Sequence, residues 1–208
     1  MKSITIYYVY DPMCAWCYGF QPTLRVLLEN LPTDVSVVKL LGGLAPDNDQ
    51  PMPLDTQQYI QQNWQRIEQT ITGIRFNYQF WQQCKPKRST YPACRAIIAA
   101  RNQGKDYADL MNTAIQRAYY QQARNPSERE TLIELGVEIG LSKAEFVEDL
   151  TSQATDKVLQ QEIAYAQAMN ANTYPSVVLE VDQQFAHLPV DYNDPGQILA
   201  IISSVRNT

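Results

Sequence analysis

Cys14 and Cys17, separated by two residues, are the side chains of this sequence best suited to chemistry. Thiols at this spacing support dithiol–disulfide exchange, in which one thiolate attacks a disulfide and the other resolves the mixed disulfide. The pair directly follows a continuous apolar and aromatic run, Ile4 to Tyr10, which Asp11-Pro12 closes. Beyond it, Phe20, Leu24, Leu27, Leu28 and Leu31 recur at helical spacing. Cys14 is therefore expected at a helix N-terminus, where unpaired backbone N–H groups favour a thiolate over a thiol. It reads as the nucleophile and Cys17, one turn on, as the resolving thiol. The intervening Ala15-Trp16 supplies no histidine or lysine, so the helix end has to provide most of that stabilisation. Trp16 reads as an apolar surface offered to a peptide substrate.

The competing use of a C-x-x-C is half of a zinc site, which needs two further ligands in a second close pair. Cys84 and Cys94 are ten positions apart with Pro86 and Pro92 between them, and His187 is the only histidine. Cys94 shares an apolar helical face with Ile97 and Ile98 and reads as a buried, inert thiol. A Cys84–Cys94 redox pair stands as the alternative. Lys85-Pro86-Lys87-Arg88 reads as a solvated turn and His187 as structural. Asp11 reads as a strand terminator, with proton relay to Cys17 as its alternative. A second candidate element, Thr173-Tyr174-Pro175, precedes a β-branched run. X-Pro bonds are the ones with an appreciable cis population, and Pro175 is expected to be cis. Tyr174 and Pro175 would then face the cysteines and pair with an extended substrate by strand addition.

Positioning these residues requires an ordered set of elements. Ile4–Tyr10 and Val35–Leu41 have the pattern of strands buried on both faces, joined through the Cys14–Asn30 helix. From about Asp55 to Asn170 the chain reads as five or six helices. Ser127/Glu130 and Ser142/Glu145 match capping boxes, Asp106 is a candidate cap, and Gly140 is a candidate helix terminator. Leu110, Ala114 and Ala118 would share one helical face, and Leu159, Ile163 and Ala166 another. Ser176–Val181, a turn at Asp182-Gln183, and Phe185–Leu188 form a hairpin. A last helix opens at Asp194-Pro195. The order βαβ, helices, ββα is an α/β thioredoxin-like fold with a large all-helical insertion. Residues 1–50 and 171–208 would form the discontinuous thioredoxin-like domain and 51–170 the helical one.

The 208 residues are 45% hydrophobic and 19% charged, with a net charge of −5. These values suit a globular core, and the acidic balance excludes nucleic acid and anionic membrane as partners. With neither a signal-peptide pattern nor a roughly 20-residue apolar span, the chain reads as cytoplasmic.

Asp11-Pro12-Met13-Cys14-Ala15-Trp16-Cys17, with Tyr174-Pro175-Ser176 downstream, resembles the DsbA family of thioredoxin-like proteins. The nearest likeness is to its FrnE-like, protein-disulfide-isomerase branch, which Pro92-Ala93-Cys94-Arg95-Ala96 also resembles; Pro22 is similar to the helix-kinking proline of thioredoxins. The resemblance implies Cys14 as nucleophile, Cys17 as resolving thiol and Pro175 as the facing cis-proline. It implies a protein-disulfide oxidoreductase or isomerase acting on protein or small-molecule disulfides. No cofactor is implied beyond the dithiol, with glutathione a candidate reductant, and the oligomeric state is left open. The dipeptide lacks the histidine of the strongly oxidising DsbA proteins. Kappa-class glutathione transferases share the fold but use a serine-type site, and a non-catalytic peptide-binding module is the remaining alternative.

Overall fold

The computed structural model describes residues 3–206. The apolar run forms β1 (Ile4–Tyr10), followed by α1 (Ala15–Glu29) and β2 (Val35–Leu41). Helices α2 (Leu54–Thr70), α3 (Phe80–Gln83), α4 (Tyr91–Gln103), α5 (Tyr107–Tyr120), α6 (Arg129–Glu138), α7 (Lys143–Leu150) and α8 (Gln153–Ala168) come next. The hairpin β3 (Ser176–Val181) and β4 (Gln184–Leu188) and a final helix, α9 (Gly196–Arg206), complete the order. The four strands align as β2-β1-β3-β4. β1 is parallel to β2 and antiparallel to β3, which is antiparallel to β4. This is the thioredoxin-like arrangement, with the helices inserted between β2 and β3.

Alternation along β1 divides its side chains between two cores. Ile4, Ile6, Tyr8 and Tyr10 pack on the face shared with α1, α9 and much of the helical block. Tyr7 and Val9 pack with Leu40, Ala166, Met169, Ala171 and Val178 on the other. β1 is a central strand buried on both sides, as its sequence predicts. β2 departs from its pattern: it is an edge strand, and Ser36, Val37 and Val38 are exposed. Its buried end is Leu40-Leu41, and the Leu41 N–H donates to Glu162 of α8.

The helical block holds seven helices where five or six are expected, because α3 is a single turn, too short to show periodicity. Neither expected capping box forms. Ser127 donates its hydroxyl to Asn125 and leaves Glu128 at the α6 N-cap, while Ser142 and Asp106 occupy cap positions without a side-chain bond. The side-chain cap in this block is Ser152, whose Oγ accepts from the Thr155 N–H at 3.0 Å. Leu110 lies exposed, away from the buried Ala118. Gly140 does end α6, at φ +90°. Its N–H donates to the Val137 carbonyl and the Leu141 N–H to that of Gly136, a Schellman pair. At the hairpin turn Asp182 and Gln183 both have positive φ, which suits the twist of the flanking strands. Among the described residues no helix is long and apolar enough to cross a membrane.

Candidate active site

Asp11-Pro12 stops β1, and the chain turns so that the Cys14 N–H donates to the Asp11 carbonyl at 3.1 Å. Cys14 thereby becomes the N-cap of α1, in extended conformation, and its Sγ accepts from the Cys17 N–H at 3.4 Å. A sulfur in the position usually held by a capping oxygen receives a free helix N–H, an arrangement suited to negative charge. Cys14 retains 7% exposure, whereas Cys17 has none. Burial first, then the adjoining Cys14, pushes the Cys17 thiol well above its ordinary range. Tyr8 lies fully buried against Cys17, and burial raises its hydroxyl in turn.

The second sequence element reaches the first across the sheet. The Tyr174–Pro175 peptide bond is cis, and the Tyr174 carbonyl accepts from the Cys14 thiol at 3.4 Å. Tyr174 is fixed by its hydroxyl, which donates to the Gly42 carbonyl at 2.6 Å. Its ring occupies the space a side chain at Gly42 would fill. Trp16 is half-buried and packs on Tyr192 with ring centroids 4.9 Å apart. Cys14, Cys17, Trp16, Tyr174 and Pro175 thus assemble at one place.

Several side chains do more than the sequence assigns to them. Asp11 is wholly buried and is a hydrogen-bond centre as well as a strand terminator. It accepts from the Met13 N–H at 2.8 Å, the Leu44 N–H at 2.7 Å and the Thr90 hydroxyl at 2.6 Å. Despite those bonds, burial raises its carboxyl above the ordinary range. Cys94 is buried as expected, and its thiol is 3.6 Å from Asp11, joining α4 to the loop that precedes Cys14. Cys84 turns elsewhere and donates to the Ala123 carbonyl at 3.0 Å. The Lys85–Arg88 segment is not merely a solvated turn. Lys87 and Arg88 line a cleft of about 210 Å³ together with Cys14, Trp16 and Tyr174. Met52, Tyr59 and Trp64 from the helical block complete its far wall. Nothing in the local pattern of Tyr192 and Thr90 marks them, and the sequence reads Arg88 only as part of a solvated turn; folding brings all three to the site. His187 bonds the Met169 carbonyl at 2.8 Å, a structural contact.

A thioredoxin family model matches residues 7–191. The cytosolic disulfide reductase DsbM of Pseudomonas aeruginosa superimposes with a TM-score of 0.80 at 27% identity, over 98% of this chain and 100% of that one. A candidate protein disulfide isomerase from Nitrosomonas europaea gives a TM-score of 0.83 at 20% identity, over 99% and 98%. The ClpXP adapter protein SpxH of Bacillus subtilis is 24% identical over 179 residues, 85% of this chain and 58% of that protein. The chain therefore spans little more than half the length of the curated relatives it matches.

Proposed function

Because the chain belongs to the thioredoxin family, we propose that it is a dithiol–disulfide oxidoreductase, working as a cytoplasmic reductase or isomerase of disulfides. The observation that carries this reading is the Cys14 sulfur, which receives the Cys17 N–H and faces the carbonyl of Tyr174. The Cys14 thiolate attacks one sulfur of a substrate disulfide. A Cys14–substrate bond forms, the substrate S–S bond breaks, and the departing thiolate takes up a proton. The Cys17 thiol then loses its proton and its sulfur attacks that of Cys14. The second substrate thiol leaves, and the two electrons given to the substrate remain balanced by a Cys14–Cys17 disulfide. The Tyr174 carbonyl, freed from the Cys14 thiol, is available to the N–H of an extended peptide, with Pro175 holding the segment and Trp16 offering an apolar wall. Two equivalents of glutathione would return the dithiol and yield glutathione disulfide. The likeness to a cytosolic disulfide reductase, also solved with GSH at a TM-score of 0.76 and 25% identity, supports this direction.

Redox titration of the purified protein in glutathione buffers, with free thiols trapped, tests the proposal. A reversible two-electron transition lost in Cys14→Ser is expected, with a midpoint nearer about −270 mV than about −120 mV for a reductant. If no Cys14–Cys17 disulfide forms, the redox reading fails. The match to ClpXP adapters favours a second reading, a binding module, in which Cys14→Ser leaves function intact. Activity that survives Cys17→Ser would indicate a transferase.

A further inference from the structure

The cleft beside Cys14 holds two cations, and their circumstances differ. Lys87 is paired with Glu128 at 3.4 Å and Asp49 at 3.7 Å. Arg88 is half-buried and, among the described residues, has neither an ion-pair nor a hydrogen-bond partner. Tyr119 lines the same cleft, and burial raises its hydroxyl while the Arg88 charge acts in the opposite direction. Arg95, the next arginine in sequence, shows the usual alternative: it is held by Asp47 and Asp156. A guanidinium drawn partly out of water without a counter-ion carries a desolvation penalty that an incoming anion relieves. It does so here in a chain of net charge −5, where acidic side chains are plentiful elsewhere.

Resting on the redox reading above, we infer that Arg88 is the anchor for a carboxylate on a low-molecular-weight disulfide, and that the cleft selects small anionic disulfides. The planar fork of a guanidinium binds a carboxylate through two parallel N–H···O bonds. Met13, Trp16, Met52 and Trp64 give the cleft an apolar lining for the aliphatic arm between carboxylate and sulfur. At about 210 Å³ the cleft is smaller than the roughly 300–1,000 Å³ of drug-sized sites, so it seats one half of the disulfide while the leaving half stays in solvent. The Cys14 sulfur attacks the seated sulfur, the S–S bond breaks, and the departing thiolate is released and protonated. Cys17 then displaces the seated half as a second thiol, and the dithiol itself supplies both electrons.

Single-turnover oxidation of the reduced protein by dithiodiglycolate, which is anionic, and by hydroxyethyl disulfide, which is neutral, tests this. The readout is the ratio of the two second-order rate constants. Arg88→Gln is expected to lower that ratio about tenfold, the worth of a charge-assisted hydrogen bond. Arg88→Lys should recover part of it, and added salt should lower the ratio in the parent but not in Arg88→Gln. An unchanged ratio in Arg88→Gln, with both disulfides still reduced, overturns the assignment of Arg88 and leaves the redox function standing. Failure of both disulfides to oxidise the parent protein overturns the redox reading itself.

Discussion

Cys14 and Cys17 are separated by one helical turn and by very different access to solvent. A partly exposed sulfur that receives an N–H can meet a substrate, whereas a sulfur with no exposure can attack only its neighbour. Burial pushes the Cys17 thiol well up, so at neutral pH only a small fraction is thiolate. The mixed disulfide should therefore decay faster as pH rises, by about tenfold per unit through the neutral range, as expected when a thiolate is the attacking species. Stopped-flow measurement of its lifetime checks this, and a flat profile would show that deprotonation does not limit resolution. Asp11 gives a stability prediction. Its folded pKa is raised by burial above an unfolded value of about 3.9. In that window the native state binds more protons than the unfolded one. The associated stability is fully present below about pH 4 and is lost as pH rises through the raised value. Asp11→Asn removes this titration and turns an amide N–H₂ toward donors. It should cost about 1–3 kcal/mol for each group left unpaired. The gap between parent and variant in denaturant melts should be widest below pH 4 and narrow as pH rises.

At the scale of elements, the site depends on how closely β2's exit and β3's entry approach each other. Gly42, just after β2, leaves the room that the Tyr174 ring fills, and its carbonyl holds the Tyr174 hydroxyl. Gly42→Ala should therefore displace Tyr174 and the carbonyl facing Cys14. The expected outcome is a loss of about 1–3 kcal/mol in stability, accompanied by a fall in kcat/KM for peptide disulfides. A variant with full stability and unchanged kinetics would show that this close approach does not set the site. Helix α8 supplies a contrast within the insertion. Ser152→Ala removes its side-chain cap and should cost about 1 kcal/mol, whereas Ser142→Ala, at a cap without a side-chain bond, should cost a few tenths. Thermal melts of the two variants make the comparison. Thr90 shows why sequence patterns misread caps: at the α4 N-cap its hydroxyl bonds Asp11 instead of its own helix.

Over the whole molecule, one hydrophobic cluster runs from Ile6 and Leu27 through Trp64 and Ile97 to Leu159 and Leu179, joining the sheet to the helical block. Asp11, Thr90 and Cys94 tie the same two parts together beside the cysteines. The chain should accordingly unfold in one transition, with far-UV circular dichroism and tryptophan fluorescence coincident in denaturant. Two separated transitions would show that the insertion melts independently. Most of the architecture is legible in the sequence because it rests on local regularities. These include the seven-residue apolar run of β1, the 3.6-residue recurrence along α1, the turn at Asp182-Gln183 and the glycine ending α6. The same regularities place Cys14 at a helix start and Tyr174-Pro175 at a strand start. The exposure of β2, the single turn of α3 and the diverted caps escape such reading, because each depends on what an element packs against. Asp11 and Arg88 escape it for the same reason. Whether a charge is buried beneath a cysteine or left unpaired in a cleft is fixed by residues dozens of positions away, and their arrangement exists only once the helices have closed over the sheet.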